Sequence, residues 1–106
     1  MYTVLKNTQI VIALLKEYGI KHIVISPGTR NGPFVHSVEE ASYFKCYSVV
    51  DERSAAFFAL GIAKQLREPV VISCTSSTAA CNYYSAVAEA YYSHIPLVVL
   101  TSDRNP

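Results

Sequence analysis

The residues best equipped for chemistry in this chain are Asp51-Glu52-Arg53, which stand directly before Ser54-Ala55-Ala56-Phe57-Phe58-Ala59-Leu60-Gly61. The run after the charges reads as a helix with no polar face over its first two turns, so it is expected to be buried. Its charged mouth then lies at the edge of a core, where carboxylates are retained for a reason. Glu52 is the residue on which a functional reading turns. The plain alternative is electrostatic: an acidic residue in the first turn of a helix gains a few tenths to about 1 kcal/mol from the macrodipole. Asp51 alone could supply that, and a surface Glu52–Arg53 pair adds little.

Ser26-Pro27-Gly28-Thr29-Arg30 offers a second chemistry, an anion site made of free amide N–H groups and the Arg30 guanidinium. Equally, it is a strand-to-helix turn in which Gly28 supplies a special backbone angle and Thr29 or Asn31 caps. It lacks the spacing of a P-loop or of a dinucleotide-binding glycine fingerprint. Thr75-Ser76-Ser77-Thr78 is a polar cluster or a generous helix cap. Asp103-Arg104 is a charge pair in a terminal loop. His22, His36 and His94 are scattered and form no triad or metal spacing, and no hydroxyl nucleophile has an identifiable base. Cys46, Cys74 and Cys81 are odd in number and unpaired with a His, so they read as free, buried thiols of a cytoplasmic protein.

Alternating helices and strands must position these groups. Val4, Leu5, Thr8, Val11, Ile12, Leu15 and Tyr18 mark one face of a helix that Gly19 ends. A short buried strand follows at 22–25, then a helix from about Asn31 or Pro33 to Glu40, with Pro33 suited to its first turn. A second strand spans 44–50, the apolar helix runs from Asp51 or Glu52 to about Leu66, and a third strand spans 69–73. A fourth helix is expected over 78–91 and a fourth strand over 96–100. Strands that are continuous apolar runs are covered on both faces, which predicts a mostly parallel sheet in a three-layer α/β sandwich. In such folds ligands sit outside the carboxyl ends of the strands. All four polar clusters fall there.

Composition narrows the classes. The chain has 106 residues, 51% apolar, with eight Tyr, no Trp and a formal charge of +1. That suits one domain with a real core and carries no footprint of nucleic acid or of an anionic membrane. No signal peptide or membrane-length apolar run is visible, and a cytoplasmic location is expected. The chain stops in a polar loop after a strand, which reads as a truncated domain or one completed by another segment. An exposed strand edge and an unfinished apolar surface would favour association of the piece.

Four segments, in order and with matching spacing, resemble the amino-terminal pyrimidine-binding domain of thiamine-diphosphate enzymes. They are Ser26-Pro27-Gly28-Thr29-Arg30, Asp51-Glu52-Arg53-Ser54-Ala55-Ala56-Phe57, Cys74-Thr75-Ser76-Ser77-Thr78-Ala79-Ala80 and Thr101-Ser102-Asp103-Arg104. The likeness covers nearly the whole chain and is strongest to the menaquinone-pathway carboligases. It implies that residues 1–106 are one such domain, incomplete at its C-terminal end.

The resemblance also implies roles. Glu52 looks like the glutamate that hydrogen-bonds the cofactor's aminopyrimidine nitrogen, a task that suits a buried carboxylate because desolvation raises its pKa. Thr75, Ser76 and Asn82 fall in the family's cofactor-lining loop and helix. Arg30, beside Thr29, resembles an arginine that holds a substrate carboxylate, and Arg104 is similarly placed. The implied reaction decarboxylates 2-oxoglutarate, a 2-oxo acid, and adds the product to isochorismate. Thiamine diphosphate and Mg²⁺ are the implied cofactors, but the family's Gly-Asp-Gly…Asn diphosphate signature does not occur in this chain. Metal and diphosphate ligands are therefore expected from another module, in trans or further along, within a homo-oligomer that clamps the cofactor between subunits.

This chain departs from the family pattern at Thr29 (usually Ser), at Ser77 (usually Gly, which matters if φ is positive) and at Asn105 (usually Pro). By itself it is expected to hold the cofactor weakly and to catalyse nothing. Two rival readings remain open: part of a split decarboxylase for a sulfonated or phosphonated small 2-oxo acid, and a non-catalytic remnant or flavodoxin-like interaction module.

Overall fold

The computed structural model describes residues 5–103, so Val4, Arg104 and Asn105 lie outside the described residues. The elements run α1 (Lys6–Glu17), β1 (His22–Ile25), α2 (Gly32–Glu40), β2 (Lys45–Ser48), α3 (Glu52–Leu66), β3 (Val70–Thr75), α4 (Thr78–Cys81), α5 (Tyr84–Tyr92) and β4 (Leu97–Ser102). The four strands form one sheet in the order β2-β1-β3-β4, parallel throughout. Ile25 stands between Ser48 and Ser73, and Thr75 beside Ser102, which aligns the carboxyl ends.

Helices cover both faces, as the expected three-layer sandwich requires. On one face α1 and α2 pack Ile12, Leu15, Phe34 and Val38 against Ile23, Ile25 and Val71. On the other, α3 and α5 pack Ala55, Ala56, Ala59, Ala63 and Ala86 against Val24, Val70, Ile72 and Cys74. The alternation along β1 and β3 sends neighbouring side chains to opposite cores, so both faces of these central strands are apolar. Gly19 takes φ +69° after α1, as its role of helix stop demands.

Three local expectations need correction. First, α3 is buried on one face only. Its alanines form the buried stripe, whereas Phe57 is 39% and Phe58 46% exposed. Small side chains let α3 lie close on the sheet, and the two phenylalanines point outward, Phe58 meeting Tyr47 edge-on. Tyr18, placed on the apolar face of α1, is likewise exposed. Second, β2 and β4 are edge strands with half-exposed side chains rather than doubly covered ones. Third, the single helix over 78–91 is broken. The Asn82 and Tyr83 amides donate three residues back, to Ala79 and Ala80, while the Asn82 side chain donates to the Thr78 carbonyl. The break turns Tyr83 into the core, where it is 2% exposed.

Nor do the hydroxyls at 75–78 cap α4. Ser77 occupies the cap position with φ 60° and ψ −122° and makes no side-chain cap hydrogen bond. A side chain in this left-handed conformation is strained by roughly 1–3 kcal/mol. Ser77→Gly is therefore expected to stabilise the domain by about 1 kcal/mol after glycine's own entropic cost. A raised thermal midpoint would show it; an unchanged or lower one would mean that the Ser77 conformation is not strained.

Candidate active site

Because every strand is parallel, the loops after β1, β2, β3 and β4 all open on one edge of the sheet. The chain passes from β1 to β2 through α2, then crosses to β3 on the far side of β1 through α3. The β1–β3 junction is thus the switch point at which open α/β sheets bind ligands. Here the loop after β1 touches the last residue of β3. A Cβ at Gly28 would collide with the methyl group of Thr75. Gly28 serves clearance rather than a special backbone angle, since its φ is not positive; the neighbour across the junction is what demands glycine.

Asn31, fully buried, ties this junction together. Its Nδ2 donates to the Ser26 carbonyl at 3.2 Å and to Ser73 Oγ at 3.4 Å, and its Oδ1 accepts from the Gly28 amide at 2.9 Å. Ser26, also buried, donates from its amide to the Ser73 carbonyl at 2.9 Å and from Oγ to the Val49 carbonyl at 2.7 Å. A buried polar set is stable only when its members are satisfied, and this one joins the ends of three strands. The sequence gives Asn31 a capping role and no more. It stands at the cap position of α2 without capping through its side chain.

At the mouth of α3 the two acids divide the work. Asp51 is the N-cap: its Oδ2 accepts from the Ser54 amide at 2.9 Å and the Ser54 hydroxyl at 2.8 Å. These bonds, the amide's first and then the hydroxyl's, with Arg53 adding a little, hold the Asp51 carboxyl below the usual carboxylate range. Glu52 is thereby relieved of capping. It is the first helical residue, half-buried rather than buried, at the carboxyl edge of the sheet.

Of the other sequence-predicted residues, Thr75 and Ser76 are half-buried, Thr75 as the last residue of β3 and against Gly28, Ser76 directly after it. Thr29 and Arg30 are exposed on that loop. Asn82 is exposed at the α4–α5 break with its amide donating to Thr78. Arg104 lies outside the described residues; the strand that leads to it ends beside β3. Tyr83 was not singled out by its sequence context, yet it is buried in the core cluster that also holds Cys74, Ala55 and Ala56.

The thiols are free, but only Cys74 is buried; Cys46 is half-buried and Cys81 exposed. Burial, then Glu39, pushes Cys46 up to about 11, which leaves it an inert thiol at neutral pH. Among the described residues no group of three His, Cys, Asp or Glu side chains could hold a metal ion. None of their helices is long and apolar enough to cross a membrane.

Comparison with known proteins gives a consistent result. The family described as thiamine pyrophosphate enzyme, N-terminal TPP binding domain, matches residues 5–105. The chain is 52% identical over 104 residues to the 2-succinyl-5-enolpyruvyl-6-hydroxy-3-cyclohexene-1-carboxylate synthase of Flavobacterium psychrophilum, covering 98% of this chain and 19% of that protein. It is 48% identical over the same length to the synthase of that name from Bacteroides thetaiotaomicron, with the same coverage of both. The chain thus spans about a fifth of these curated relatives. Among solved structures, benzoylformate decarboxylase from Polynucleobacter necessarius superposes with a TM-score of 0.83 at 24% identity, covering 99% of this chain and 19% of that one. That similarity bears on the fold.

Proposed function

Since the chain belongs to the thiamine pyrophosphate enzyme N-terminal TPP binding domain family, we propose that it is the pyrimidine-binding part of a carboligase that decarboxylates 2-oxoglutarate and joins the product to isochorismate. The observation that carries the cofactor reading is the placement of Glu52. It is half-buried, first in its helix, at the ligand-binding edge of the sheet, and its neighbour Asp51 performs the capping. What supports the reaction is identity near one half, across 98% of this chain, to synthases named for it.

The described residues fit the aminopyrimidine half of thiamine diphosphate through one group, the half-buried Glu52 carboxylate at the carboxyl edge of the sheet. They hold no acidic cluster of the kind that takes a Mg²⁺–diphosphate. We assign that half, with its metal, to a second module, contributed by a longer chain or by a partner subunit in an oligomer. When bound, the cofactor supplies a thiazolium carbon that becomes nucleophilic on losing its proton to the adjacent aminopyrimidine.

Glu52 is assigned to hold a proton at the pyrimidine ring nitrogen, a hydrogen bond that a carboxyl group at this edge can make. Thr75 and Ser76, half-buried at the end of β3, are assigned to line the ring, as is Asn82 at the α4–α5 break. Arg30, with Thr29 beside it, takes a substrate carboxylate at the exposed rim; Arg104 is assigned the same task. A guanidinium suits it, because two parallel N–H bonds fix a carboxylate's orientation.

The test is 2-oxoglutarate consumption by the chain completed with a diphosphate-binding module, with and without isochorismate. Turnover that requires both substrates, and none from the 106-residue chain alone, is the expected result. Decarboxylation indifferent to isochorismate would point instead to a 2-oxo acid decarboxylase, and no turnover at all to a non-catalytic module.

A further inference from the structure

α1, α3 and α5 each end, at the amino-terminal edge of the sheet, in a residue with a left-handed backbone. After α1 it is Gly19, with φ 69°. After α3 it is Arg67 and after α5 His94, each with φ 56°. The end of α5 repeats that of α1. The His94 and Ile95 amides donate to the Tyr91 and Ala90 carbonyls, as those of Gly19 and Ile20 do to Lys16 and Leu15. Glycine is the residue such a position favours, because a side chain there is strained. A guanidinium and an imidazole are kept at the other two.

Arg67 and His94 line one open cavity of about 360 Å³, with Lys64, Ala63, Ile95 and Pro96. Arg67 leads into β3 and His94 into β4, which puts the cavity at the opposite edge of the sheet from Glu52. Its lining holds no carboxylate; Glu68, next in sequence to Arg67, is not part of it. The plain alternative is that a cation in the last turn of a helix complements the macrodipole. That accounts for Lys64, in the last turn of α3. It does not account for Arg67 and His94 at positions where glycine would be less strained, nor for their meeting at one cavity. The helix carbonyls that would repel an anion are also occupied. Ala63 accepts from the Arg67 amide at 2.8 Å, and Ala90 from the Ile95 amide at 2.9 Å.

We propose that Lys64, Arg67 and His94 form a binding site for a small organic anion, a carboxylate or phosphate group carried on a compact apolar body. The Arg67 guanidinium offers two parallel N–H bonds to such a head group, the Lys64 ammonium adds charge, and the His94 ring supplies a further N–H. Half of the lining, Ala63, Ile95 and Pro96, is apolar and meets the body of the ligand. The site faces away from the edge assigned to chemistry, so its ligand is an effector rather than a reactant. It stands independently of the reading of Glu52 given above.

The test is an NMR titration of the 106-residue chain with benzoate and, separately, with phenyl phosphate, at fixed pH and ionic strength. The histidine ring signals report it: His94 is identified by its loss in His94→Gly, and His22 and His36 serve as internal controls. The His94 signal is expected to shift to saturation with at least one probe while His22 and His36 stay still; which probe binds identifies the head group. Arg67→Gly is expected to weaken that binding at least about tenfold, the scale of a lost charge-assisted hydrogen bond. Its thermal midpoint should equal or exceed the parent's, since glycine suits the left-handed position, so the loss belongs to the guanidinium and not to the fold. Should Arg67→Gly not fold, Arg67→Asn, which also tolerates that backbone, carries the same test. No saturable shift with either probe overturns the proposal, as does a shift shared by all three histidines, the mark of a general salt effect. Binding unchanged in the Arg67 variant overturns it equally.

Discussion

Glu52→Gln is expected to cut turnover of the completed enzyme by at least about 10²-fold, the scale of a lost acid–base group, while the domain stays folded. Gln matches Glu in shape and can hydrogen-bond a ring nitrogen, but its amide cannot take up and return a proton. The fold is spared because capping rests on Asp51 through Ser54. Stability loses only the macrodipole contribution of an acid in the first turn, a few tenths to about 1 kcal/mol. Steady-state kinetics and a thermal melt on the same preparation check both halves. Full turnover in the variant would leave Glu52 no role in proton handling.

Asn31→Ala should produce the largest loss of stability, about 2–4 kcal/mol. The substitution strands the Ser26 carbonyl, the Gly28 amide and the Ser73 hydroxyl at once. Ser26 and Ser73 are 1% exposed, so water cannot replace the lost partner without opening the junction. For a domain whose total stability is on the order of 5–15 kcal/mol, this is a large fraction. Urea unfolding should show a lower midpoint with an unchanged slope. A loss under about 0.5 kcal/mol would mean that the network is replaceable, as at an ordinary surface site. Since the same bonds hold the loop after β1 against β3, weaker cofactor binding by the completed enzyme should accompany the loss.

The parallel sandwich was legible because its central strands are apolar on both faces, as 22–25 and 70–74 show in plain sequence. Once the sheet is parallel, the clustering of polar loops at one edge follows from chain direction alone. What escaped the reading depends on neighbours distant in sequence. The apolar run of α3 does not reveal which side faces the sheet. Its alanines turn inward because a helix can approach closely there, and Phe57 and Phe58 are left outside. The break at Asn82 answers to the burial of Tyr83, a tertiary demand with no periodic signature. Gly28 answers to Thr75 across the switch point. One signal for the junction was present: Ser73 is a hydroxyl within the apolar run Val70-Val71-Ile72-Ser73-Cys74, and a buried hydroxyl needs a partner. Asn31 supplies it. Ser77 was readable as a misfit against a positive φ, and the structure places it at 60°.

Glu52 as the holder of the pyrimidine proton is the claim from which the rest of the functional account follows. Hydrogen–deuterium exchange at the thiazolium C2 of the bound cofactor tests it most directly, followed by acid quench and proton NMR in the parent enzyme and in Glu52→Gln. The account predicts exchange slowed by about 10²-fold or more in the variant. Equal exchange rates in the two proteins, with the cofactor bound in both, would contradict it.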